Sequence, residues 1–119
     1  MSGICGVWRI DGGDADLGPI LPRLETRGPE AIRQWRGDGV ALGHTLLATT
    51  PEAAVERLPL TDAASGCTIT ADARLDNREE MIAALELNPD SPPIGDGELI
   101  LRAYLKWGDR CPNHLLGDF

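Results

Sequence analysis

Residues able to do chemistry are few in this chain and unevenly spaced. Cys5, Cys67 and Cys111 make three thiols, an odd number whose spacing fits neither a zinc site nor a CxxC redox pair. His44 and His114 are the only imidazoles, too few for a metal site. Glycines at 12–13, 37–39 and 95–97 sit among turn-forming residues and read as turns, so no phosphate-cradling loop is expected. Asp96 and Glu98 stand where a helix would begin, matched to its positive end, with Arg102 and Lys106 toward the other.

These residues must be placed by local structure. Ile4–Ile10 is rich in β-formers and closes at Asp11-Gly12-Gly13, which predicts a strand. Between Leu17 and Glu25, Ile20, Leu21 and Leu24 share a helical face, and Pro19 and Pro22 keep that helix short. Gln34–Arg36, Gly37-Asp38-Gly39 and Val40–Thr49 predict a hairpin. Pro51–Asp62 reads as a loop, and Cys67–Ala71 alternates as a half-buried strand does. Asn77 and Glu80 predict a capping box before a helix carrying Met81, Ile82 and Leu85, ended by Asn88-Pro89. A second helix is expected to bury Leu99, Ile100, Ala103, Tyr104 and Trp107 and to end at Gly108. Trp35 reads as another packing aromatic, and His114–Phe119 as a strand about to begin. This order of elements predicts an α+β fold with antiparallel sheets.

Composition narrows the function class. The 119 residues suit one domain, burying roughly two-thirds of the extended chain's surface. A net charge of -8, with ten scattered Arg and the lone Lys106, argues against nucleic acid and anionic membranes. No apolar run is long enough to span a bilayer, and no signal peptide is visible, so a reducing cytoplasm with free, mostly buried thiols is expected.

Several segments, taken in order, resemble a known family: Gly3-Ile4-Cys5-Gly6, Arg27-Gly28-Pro29, Gly43-His44, Ala71–Glu80, Gly95–Leu101 and His114–Phe119. The chain resembles the N-terminal glutaminase-type domain of the asparagine synthetase family, a class II glutamine amidotransferase. The resemblance implies an N-terminal-nucleophile hydrolase-like αββα sandwich, of which residues 1–119 would be the front portion, C-terminally incomplete. It also implies a synthetase domain as partner, using ATP and Mg, while no cofactor and no metal are expected in this chain. An exposed sheet edge would then favour a homodimer.

Active relatives hydrolyse glutamine with an N-terminal Cys whose thiol is activated by the free α-amine. The resemblance places Ser2 at that position, a poorer nucleophile because its hydroxyl hardly ionises. The other reading of Ser2 is an ordinary polar N-terminal residue. Cys5 lies inside the expected strand and reads as a core side chain. The oxyanion pair, Asn and Gly in active relatives, corresponds to Asp72 and Ala73. An ionised Asp72 cannot donate, and its structural role would be to cap a turn or pair with Arg74 or Arg78. Leu46 falls where the Arg that anchors the glutamine carboxylate is expected, and no Lys or Arg lies between Arg36 and Arg57. Asp96 matches the acidic residue that binds the α-amine, and helix capping is its alternative. His44 reads as a hydrogen-bonded structural residue. The expected function is a structural module in relatives that need no ammonia, such as β-lactam synthetases and lasso-peptide cyclases. The alternative is a Ser2 amidohydrolase or glutaminase releasing ammonia for asparagine synthesis.

Overall fold

A computed structural model describes residues 2–119 of the chain. Its largest sheet has three antiparallel strands in the order β1-β3-β2: β1 is Gly3–Trp8, β2 Ala31–Gly37 and β3 Val40–Leu46. The predicted hairpin is β2–β3, closed by Asp38-Gly39, where Gly39 takes the left-handed φ of +70° that this two-residue turn requires. β3 lies at the centre and pairs Gly3 with Thr45 on one side and Arg33 with His44 on the other. Alternate residues therefore present Gly3, Cys5, Val7, Ala41, Gly43 and Thr45 to one face.

That face is covered by the segment before β2. Ala15 and Leu17 are buried with Ala41, and Cys5, Val7 and Leu21 pack around them. The helix expected between Leu17 and Glu25 is a 3₁₀ turn at Leu21–Arg27, with Pro22 in its first turn. Beyond it Gly28 meets β3 so closely that a Cβ would strike the Thr45 carbonyl, and Thr45 Oγ1 donates to Leu24 O at 3.1 Å.

Two small antiparallel pairs complete the strands. β4 (Leu60–Thr61) joins β5 (Thr68–Ile69), and β6 (Arg74–Leu75) joins β7 (Gly117–Asp118). The strand expected over Cys67–Ala71 is thus only two residues long. From Thr70 the chain leaves its partner and instead ties to the large sheet, where Thr70 Oγ1 donates to Gly43 O at 3.2 Å. The strand signal at the end of the sequence is β7. Antiparallel sheets with helices make a mixed α+β architecture.

Helix α1 covers Arg78–Ala84 and α2 Asp96–Trp107. Asn77 precedes α1, but the capping box does not form. Its Nδ2 donates to His114 O at 2.9 Å and to Glu80 Oε2 at 3.2 Å, while its Oδ1 accepts from Leu116 N–H at 3.0 Å. Long-range bonds to the β7 connection have taken the atoms a local cap would use. α1 also ends before Asn88-Pro89. Leu87 N–H bonds Ile82 O and Glu86 N–H bonds Ala83 O, a Schellman closure with Glu86 at a φ of +56°.

In α2 the buried apolar residues are Leu99, Leu101 and Ala103, whereas Tyr104 is 44% exposed and is not a packing aromatic. The helix touches α1 on one side and β5 on another, so burial follows more than one stripe. Met81, Ala103 and Cys111 form a second core cluster with Leu85, Trp107 and Leu115. Trp107 stacks on His114 with ring centroids 4.0 Å apart. Gly108 ends α2 as expected, its N–H bonding Tyr104 O. Trp35 is half-buried. All three thiols are free, but only Cys111 is buried; Cys5 and Cys67 are half-buried. Among the described residues no helix is long and apolar enough to cross a membrane.

Candidate active site

The residues singled out by sequence meet in one chamber of about 500 Å³, on whose wall stand Ser2, Leu46, Asp72, Ala73 and Asp96. Ser2 is brought there as the residue before β1. It is 8% exposed, buried rather than projecting into solvent. Three elements hold it. Its N–H donates to Asp72 Oδ1 at 3.1 Å, its hydroxyl oxygen accepts from Leu47 N–H at 3.2 Å, and its carbonyl accepts from Arg27 Nε at 3.4 Å. Arg27 and Gly28 thereby gain a local meaning: one steadies Ser2 and the other lets the chain lie flat on β3.

Asp72 reaches the chamber because Thr70 pins the preceding segment to Gly43. It neither caps a turn nor pairs with Arg74 or Arg78. Those arginines are taken, Arg74 by Asp76 at 3.0 Å and Asp118 at 3.1 Å, and Arg78 by Asp96. Asp72 therefore faces Ser2, accepting its backbone N–H through Oδ1.

Leu46, at the end of β3, is 6% exposed and presents only an apolar side chain to the chamber. Arg74 is the single Arg or Lys on the lining, and both its salt-bridge partners are acids. A ligand carboxylate would find no free guanidinium here.

Asp96 does not cap α2. Gly95 is the cap residue and makes no side-chain bond. Asp96 Oδ2 instead accepts from Leu75 N–H at 3.2 Å, and Oδ1 pairs with the Arg78 guanidinium, both partners being largely buried. The role of cap falls to Glu56, distant in sequence and 8% exposed, whose Oε2 accepts from Gly97 N–H at 3.3 Å. Burial pushes the Glu56 carboxyl above its ordinary value and the neighbouring Asp96 adds to this, while the Gly97 and Asp96 backbones and Arg78 oppose it.

Glu56 was not among the sequence candidates, because Pro51–Asp62 reads as an irregular loop. Its signal lay elsewhere, in the two glycines around Asp96. A Cβ on Gly95 would overlap the Glu56 carboxylate, and one on Gly97 would lie 2.7 Å from Leu58 Cδ2. Both glycines are required by close approach of the Glu56–Leu58 segment.

His44 lies on the same wall, 2% exposed. Burial pushes its imidazole below the ordinary value; the Asp72 charge opposes this, Arg33 reinforces it, and the Ala71 backbone opposes it. Its Nδ1 has no hydrogen-bond partner, so it is less fully bonded than a structural histidine is expected to be. Cys5 packs against the first core cluster, and burial raises its thiol, which disfavours the thiolate. Among the described residues no group of three His, Cys, Asp or Glu is arranged to hold a metal ion.

The family model for the glutamine amidotransferase domain matches residues 1–119, the whole chain. The chain belongs to that family. No curated protein matches it. In a glutamine amidotransferase domain the work is to seat a glutamine, attack its side-chain amide and stabilise the resulting oxyanion. Beside Ser2 the chamber of this domain is lined by the acids Glu56, Asp72, Asp96 and Asp118 and by Leu46 and Leu47.

Proposed function

We propose that this glutamine amidotransferase domain is the N-terminal glutaminase-like part of an asparagine synthetase-like, ATP-dependent amide-forming enzyme, and that it acts as a structural module without glutaminase turnover. The observation that carries this reading is the charge of the chamber. Asp72 places negative charge beside Ser2, where an oxyanion would have to develop, and Leu46 supplies no cation for a substrate carboxylate. Losing one oxyanion donor costs about 10²–10³ in rate, and repulsion from Asp72 adds to that. Cys5 is no substitute nucleophile, since its thiol packs in the core cluster on one face of the sheet.

In this reading the β1-β3-β2 sheet is one layer of an N-terminal-nucleophile hydrolase-like αββα sandwich. ATP and Mg belong to a synthetase domain that is the proposed partner, no cofactor is assigned to this chain, and the cytoplasm is the proposed location. Relatives that already carry the attacking amine on their substrate, such as β-lactam synthetases and lasso-peptide cyclases, are the proposed functional setting.

One observation favours a second reading. Ser2 is buried at the chamber wall with its hydroxyl held by Leu47 N–H, as a positioned nucleophile would be. It would then be a Ser2 amidohydrolase releasing ammonia from glutamine for asparagine synthesis. An assay of ammonia release, on protein whose first residue is Ser2, separates the two. The expected result is no release above the protein-free rate. Turnover that disappears in Ser2→Ala, with folding unchanged, would overturn the structural reading.

A further inference from the structure

The buried Asp96–Arg78 pair stands between two cavities. Asp96 lines the Ser2 chamber, whereas Arg78 lines a larger outer cavity of about 850 Å³ beneath the Leu87–Ile94 loop. Arg78 therefore reaches Asp96 from behind the chamber wall. Its second terminal nitrogen donates to Ile94 O at 2.7 Å, which fixes the guanidinium on both sides. Asp96 is equally committed, one oxygen to Arg78 and the other to Leu75 N–H.

A carboxylate buried in a chamber wall is the natural counterion for an ammonium group, because so little water competes for it. Here that position is already filled by a cation of the chain itself. We propose that Arg78 is a specificity-determining residue whose guanidinium occupies Asp96 in place of a ligand's ammonium, so that the chamber excludes α-amino acids. The inference rests on the reading of the chamber as a non-hydrolytic glutamine seat and adds a cause for it. Neither end of an amino acid is then served: Leu46 offers nothing to the carboxylate, and the charge of Asp96 is already paired with a guanidinium. Arginine suits the task because its planar fork can hold Asp96 and Ile94 O together.

The probe is methylammonium chloride, compared with sodium chloride at equal ionic strength and followed by amide chemical shifts at Leu75 and Gly97. Wild-type protein is expected to show no saturable shift. Arg78→Gln, which keeps a donor for Ile94 O but frees Asp96, should bind methylammonium roughly tenfold or more tightly than wild type. Adding Asp96→Asn should abolish that binding. Arg78→Ala, which also opens the wall between the cavities, should melt lower and regain stability with methylammonium but not with urea. Should Arg78→Ala not fold, the Arg78→Gln titration decides alone. Saturable binding of methylammonium or L-glutamine to wild type through Asp96, or Arg78→Gln as unresponsive as wild type, would overturn the proposal. Turnover of glutamine is a separate readout: a silent Arg78→Gln enzyme that binds methylammonium supports this inference and leaves the structural reading standing.

Discussion

Glu56 shows how a single buried acid shapes the site. Its carboxylate caps α2, leaves room only for glycine at position 95, and shares its surroundings with Asp96. Because burial raises its proton affinity in the folded state, its contribution to stability is full below the ordinary value of 4.5 and is lost as pH rises through the raised one. Glu56→Gln keeps an acceptor for Gly97 N–H and removes the charge. Thermal melts from pH 4 to 8 should show the variant gaining on wild type as pH rises, by on the order of 1 kcal/mol. A difference independent of pH would count against this account. His44 works in the opposite sense, since its depressed affinity means stability present above 6.5 and lost on acidification. Comparing Glu56→Gln with wild type at matched pH cancels the His44 contribution, which both share.

At the scale of elements, the motifs in the sequence turn out to be joints between distant segments. Asn77 links the start of α1 to the β7 connection through two side-chain bonds, to His114 O and Leu116 N–H, and bonds Glu80 within the helix. Asn77→Ala should lower stability by about 1–2 kcal/mol in denaturant titration, with the loss expressed at β6–β7. The closure of α1 makes a second case. Glu86 is exposed and holds a left-handed φ that glycine adopts without steric cost. Glu86→Gly should therefore stabilise by about 0.5–1 kcal/mol, against the usual penalty for glycine in a helical region. A destabilised variant would show that the side chain has an unrecognised partner.

These joints explain what the sequence made legible. The β2–β3 hairpin, both helices and the end of α2 at Gly108 follow local rules of alternation, spacing and turn chemistry. The chamber residues were legible only through the resemblance, since nothing local brings Ser2 to Asp72. What escaped was long-range competition for the same atoms. Asn77 leaves its local cap for His114 and Leu116, and Asp96 leaves its own for Arg78. A linear reading has no means of weighing partners 18 to 39 residues away.

For the molecule as a whole, β1 and β2 are the outer strands of the main sheet, each with one side lacking a strand partner among the described residues. Ile4 on β1 is 47% exposed and Ile32 on β2 is 43% exposed, and neither edge is blunted by Lys or Pro. Self-association through an edge is expected, seen in sedimentation as a mass that rises with concentration. Ile4→Lys and Ile32→Lys place a charge on one edge each, and the one that restores a monomer identifies the edge used. A chain that is monomeric at every concentration would argue against edge pairing.

The Glu56 carboxylate also ties two regions into one cooperative unit. Its bond to Gly97 N–H joins the first turn of α2 to the residue that follows the Ala53–Val55 turn, so the two are expected to open together. In native-state hydrogen exchange the Gly97 amide should open together with the segment bearing Glu56 rather than fray with the helix end. Glu56→Ala should then speed exchange at Gly97 selectively, while the hairpin amides of β2 and β3 keep their own rate.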